Sequence, residues 1–108
     1  MQKFQNFEEL FQNWLTLPSD AFLYISKSDG DIFTSTFAVI PQDEIDEEVE
    51  TEDDIVPKEI YEMGMRSFIE VSTFKDIIDV YSHKHPLLDV QGCLKALIHY
   101  LKHDDFLE

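Results

Sequence analysis

Apolar residues recur along this chain with two periods, and the alternation between them divides it into elements. Phe7, Leu10, Phe11 and Trp14 fall at i, i+3, i+4 and i+7, the spacing that places side chains on one face of a helix over residues 6–17. Asn6 opens that stretch with Glu9 three positions on, the arrangement of a capping box, and Pro18 closes it. Such a stripe predicts core packing. The period then shortens to two. Residues 21–26 (AFLYIS) read as a strand, residues 27–31 (KSDGD) as a turn with Gly30 free to take positive φ, and residues 32–40 (IFTSTFAVI) as a second strand. Phe33, Phe37 and Val39 share one face of it and Thr34 and Thr36 the other, so the pair predicts a β-hairpin that Pro41 ends.

The second half returns to helical spacing. Pro57 suits the first turn of a short helix over 57–63, with Gly64 as its left-handed stop. Residues 66–71 (RSFIEV) predict a third strand. Ser72 or Thr73 can cap the next helix, whose stripe is Phe74, Ile77, Ile78 and Tyr81 and whose end is marked by Pro86. Asp89 caps the last helix, where Val90, Leu94, Leu97 and Leu101 form the buried stripe and Ile98 widens it; Gly92 weakens that helix or admits another element closely. The order is α-β-β-α-β-α-α, with an acidic segment after the hairpin. This predicts one α+β domain over residues 1–108: a small, mainly antiparallel sheet, a hairpin plus one strand, packed against helices.

Charge changes the picture most in residues 43–54, DEIDEEVETEDD, where nine of twelve side chains are acidic and only Ile45 and Val49 are apolar. Dense like charge with little apolar surface predicts a solvated, mobile loop over about 42–56. The formal net charge of −15 comes mostly from this run. Arg66 is the only Arg, which argues against direct nucleic-acid binding and against anionic membranes, since both need clustered cations. A basic protein partner fits, because opposite potentials speed encounter and select the partner; a purely solubilising role for the acids is the competing explanation. The single Cys93 permits no intramolecular disulfide and fits a reducing compartment. MQKFQNFEEL lacks the apolar core of a signal peptide, and no apolar run is long enough to cross a bilayer, so a soluble cytoplasmic protein is expected.

Candidate chemistry is sparse. His99 and His103 are four apart on a helix and could face one cation, but Lys95 and Lys102 share that face and no further ligand or HExxH motif accompanies them. Asp43 does not begin a calcium loop: Ile45 and Glu48 stand where an oxygen ligand and a Gly are needed. There is no G-x-S-x-G, P-loop or GxGxxG, and Cys93 lies within the apolar pattern, as an inert buried thiol does. No catalytic residue, metal or cofactor is expected. The remaining reading is a binding protein whose carboxylates Asp43, Glu44, Asp46, Glu47, Glu48, Glu50, Glu52, Asp53 and Asp54 meet a cationic surface, with Tyr61 as an aromatic anchor beside them. The alternative is a small non-catalytic regulatory or housekeeping module whose acidic loop is a solubilising insertion.

Three stretches carry a resemblance: LPSDAFLYI at 17–25, GMRSFIEV at 64–71 and YLKHDDFLE at 100–108. Together with the acidic insert they resemble a family of small acidic bacterial proteins known only as a domain of unknown function. In size and charge the chain is also similar to immunity proteins that protect bacteria from contact-dependent and other polymorphic toxins. That likeness is one of type and carries over no binding residue. It implies a one-to-one complex with a cognate toxin domain, often a nuclease.

Overall fold

In the computed structural model, which describes residues 1–26, 31–52 and 54–106, four consecutive strand residues, Phe37–Ile40, are all buried. Successive side chains of a strand point to opposite faces, so a fully buried strand requires a sheet covered on both sides. The covering follows from the element order. β1 (Gln2–Phe4) leads into α1 (Phe7–Gln12); β2 (Phe22–Ser26) and β3 (Phe37–Ile40) follow. Then come β4 (Glu48–Glu50), β5 (Ile55–Pro57), α2 (Lys58–Glu62), β6 (Met65–Glu70), α3 (Val71–Lys84) and α4 (Val90–His103). Four strands form an antiparallel sheet in the order β1-β3-β2-β6, and β4 pairs with β5 in a separate two-stranded sheet. The fold is α+β.

On one face, Leu23, Ile25, Phe37 and Val39 of the sheet meet α1, α3 and α4. Phe7 ties three of these elements together, with its ring edge-on to both Phe37 and Phe74 at centroid distances of 6.3 Å. Register shifts between Leu23, opposite Ile69, and Tyr24, opposite Ser67. The extra residue, Phe68, therefore joins Ile69 against the helix-side core. Among the described residues, no helix is long and apolar enough to cross a membrane.

Local chemistry sets the element ends. Asn6 caps α1 by accepting the Glu9 N–H at 2.9 Å, and Asp89 caps α4 by accepting the Gly92 N–H at 2.6 Å. Gly64 takes φ 68° after α2, as a left-handed stop requires.

Several expectations are corrected. The first helix is regular only to Gln12; the Asn13 side chain donates to the Glu9 carbonyl, and Trp14–Thr16 continue as a 3-10 turn. The second strand starts at Phe37, because Asp31 folds Ile32–Thr34 into a 3-10 turn. Its carboxylate accepts the Phe33 N–H, and its carbonyl accepts the Thr34 and Ser35 hydroxyls. The rest of the predicted 27–31 turn lies outside the described residues. β1 is an additional edge strand. α3 starts at Val71 directly from β6, without a side-chain cap from Ser72 or Thr73. Leu101 is 44% exposed, outside the core that Leu94 and Leu97 enter.

Candidate functional site

The second face of the sheet presents Tyr24, Ala38 and Ile40, with Met65 beside them, and what covers these residues comes from the acidic stretch and its continuation. Val56 of β5 and Ile60 of α2 are buried against them, and Ile45 and Met63 pack at the margin. The segment predicted as a loop over about 42–56 is thus largely regular. Gln42–Glu44 form a 3-10 turn, and β4 and β5 pair as Glu48 with Pro57, Val49 with Val56, and Glu50 with Ile55. Thr51 closes the hairpin: its N–H and hydroxyl both donate to the Asp54 carbonyl, at 2.7 and 2.9 Å, and its hydroxyl accepts the Asp54 N–H at 3.0 Å. The Lys58 N–H donates to the Glu47 carbonyl at 2.9 Å, tying the hairpin to α2. Charge density favoured a solvated coil; burial of Val56 and Ile60 on the sheet, with Ile45 at its margin, works against it, and along β4 the exposed Glu48 and Glu50 alternate with half-buried Val49.

The carboxylates are accordingly displayed on a folded support. Asp43, Glu44, Asp46, Glu47, Glu48, Glu50 and Glu52 are exposed, and Asp54 is half-buried. Asp53 lies outside the described residues. Two carboxylates have ion-pair partners: Glu44 with the N-terminal ammonium at 3.4 Å and Glu47 with Lys58 Nζ at 3.5 Å. The Asp54 carboxylate accepts the Ile55 N–H at 2.8 Å. Among the described residues, Asp43, Asp46, Glu48, Glu50 and Glu52 form no ion pair. Tyr61, on α2 of the same layer, is 53% exposed, and Ile55 is 58% exposed.

Sequence reasoning missed Tyr24, the sheet residue under the hairpin. Burial, and secondarily the negative charges of Asp54 and Glu48, push its phenol up to about 12. Its position inward on a strand was legible; that acidic side chains would lie over it was not.

The other candidates are scattered. His99 and His103 bring their rings to 4.6 Å, and among the described residues no three His, Cys, Asp or Glu side chains assemble to hold a metal. Cys93 is fully buried between helices, and desolvation, with a smaller contribution from Asp89, pushes its thiol up to about 12, which suppresses the reactive thiolate.

Residues 4–108 match the family described as a domain of unknown function, DUF7716. The chain belongs to that family. The DUF7716 span begins at the last residue of β1 and takes in β2, β3, β6, α1 to α4 and the acidic hairpin, in keeping with the resemblance to an uncharacterised family. No curated protein and no solved structure matches the chain.

Proposed function

We propose that this chain is a cytoplasmic immunity or inhibitor protein that binds a cognate basic toxin domain, a nuclease, one-to-one and blocks its active site. The observation that carries the reading is the acidic layer: carboxylates mounted on a hairpin that Val56 of β5, with Ile60 of the adjoining α2, packs onto the sheet. A nuclease must hold phosphates with Lys and Arg, and carboxylates displayed on a folded backbone compete for those same groups. A fixed hairpin loses less conformational freedom on binding than a free acidic tail would. The field of the cluster raises the encounter rate, and exposed Tyr61 provides apolar contact area of the kind that slows dissociation.

The test is to mix the purified protein with a basic nuclease domain encoded beside its gene. The expected result is a one-to-one complex in which cleavage is lost and whose association rate falls steeply with salt. Absence of a complex at low salt sinks the reading. A complex that forms as fast after the acidic side chains are neutralised would favour the solubilising role instead.

A further inference from the structure

A groove of about 310 Å³ opens beside α2, lined by Met63 and Met65 with Lys3, Gln5 and Thr36, and by Phe4 and Phe37, whose rings are buried in the helix-side core. The lining comes from β1, β3, β6 and the end of α2, so regular elements hold it on most sides. Two methionines give it a soft, polarizable lining that adapts to different apolar side chains.

The groove borders the acidic layer. Met63 directly follows Glu62, which with Asp46, Glu47, Glu59 and Lys58 lines a polar hollow of about 260 Å³; Lys58 pairs there with Glu47 at 3.5 Å and leaves the hollow net negative. Glu59 also lines a third hollow, of about 130 Å³, with Glu44, Ile40 and Met1. Around α2 an apolar slot is therefore flanked by carboxylates, while Lys3 on its opposite wall disfavours a cation inside the slot itself. That pattern selects an apolar side chain with Lys or Arg next to it on one side.

We propose that this groove is the anchor site for a basic protein partner, taking one apolar side chain while the flanking Lys or Arg engages Asp46, Glu59 and Glu62, the carboxylates of the hollow outside the ion pair of Lys58 with Glu47. The inference rests on the reading of this chain as a binder of a basic toxin, and adds where the partner is held. The acidic hairpin then governs how fast the partner arrives and the groove how slowly it leaves.

The methionines make this measurable. The sequence has three, Met1, Met63 and Met65, so methyl-labelled full-length protein gives three resolvable probes, two of them in the groove. Two short peptides serve as ligands: Lys/Arg with a central Leu-Trp pair, and the same cations without apolar residues. The Leu-Trp peptide should shift the Met63 and Met65 methyls and bind more tightly than its counterpart, which should shift only amides of the acidic layer. Thr36→Trp, a change at an exposed rim position, should fold normally by circular dichroism and weaken the Leu-Trp peptide roughly tenfold. Methyl shifts absent while the acidic amides respond to both peptides would overturn the groove and leave the basic-partner reading standing. No response to either peptide would overturn that reading, and the groove with it.

Discussion

At the scale of single residues, Tyr24 and Gly92 are where the structure makes the sharpest demands. Tyr24 is 4% exposed and its phenol is raised from 10.0 to about 12, by desolvation first and then by Asp54 and Glu48. A folded-state pKa above the unfolded value means that the native state holds the proton more tightly. The associated stability is intact below pH 10 and is lost as pH rises through about 12, a total of about 2–3 kcal/mol for a shift of this size. Alkaline titration followed by phenolate absorbance should show one tyrosine ionising late and together with unfolding, and Tyr24→Phe should remove that step. An ordinary titration at the model-compound value would contradict it. Gly92 sits in the first turn of α4 because Tyr81 occupies the space a side chain would need: a Cβ there would lie 2.6 Å from the Tyr81 hydroxyl oxygen and 2.9 Å from its ring. Ala normally gains up to about 1 kcal/mol over Gly in a helix. Here Gly92→Ala must displace a ring stacked on His85 at 3.9 Å, so the expected sign is reversed, a loss of about 1 kcal/mol. In a Tyr81→Ala background the same change should stabilise, and denaturant midpoints of the four proteins decide the matter.

Among the elements, the acidic hairpin is the one whose stability is a contest between burial and repulsion. Val56 and Ile60 are 1% and 0% exposed, and their attachment to the sheet works against the mutual repulsion of the exposed carboxylates. Excising the run would remove β4 and uncover Tyr24, so charge neutralisation is the cleaner perturbation. A variant with Asp43 and Asp46 changed to Asn and Glu48, Glu50 and Glu52 changed to Gln should melt higher than the natural chain at low salt. The difference should shrink as salt screens the repulsion. A natural chain whose melting temperature ignores salt would mean that the repulsion is already dissipated in solvent. The elements also show what a linear reading can reach. Caps at Asn6 and Asp89, the Gly64 stop and the Phe74, Ile77, Ile78 stripe depend on neighbours within a turn or two, and all were legible. β1 was not, because Gln2–Phe4 has one buried residue and hence no period; it is a strand only because Phe37–Val39 lie alongside. The hairpin was missed for a related reason. Its few apolar residues gain their burial from sheet residues on both sides of it in sequence, Tyr24, Ala38 and Ile40 before and Met65 after, and local charge gives no sign of it. Of the candidate site, the acids and Tyr61 were visible as residue types, while the groove, assembled from β1, β3, α2 and β6, exists only in the folded chain.

The whole molecule is electrically polarised across its sheet. The carboxylate-rich hairpin and α2 cover one face; α3 and α4, on the other, carry Lys75, Lys84, Lys95, Lys102, His83, His99 and His103. Net charge and charge placement therefore make different predictions. If negative charge matters only in total, any five carboxylates are equivalent. If the hairpin is the docking face, the five neutralised above are special, and five scattered ones, Glu8, Asp20, Asp76, Asp79 and Asp104, are not. The two variants have the same net charge and all ten positions are exposed, so their comparison isolates placement. Against a basic nuclease domain at low salt, the hairpin variant should associate at least about tenfold more slowly than the natural chain and lose most of its salt dependence, as expected for electrostatic steering. At physiological ionic strength, where the Debye length is about 8 Å, the scattered variant should stay near the natural rate, since a molecule at least 24 Å across screens its far-side charges from the approaching surface. Equal slowing in both would show that the protein attracts its partner as a uniformly negative body, and would remove the hairpin from the mechanism even though binding persisted.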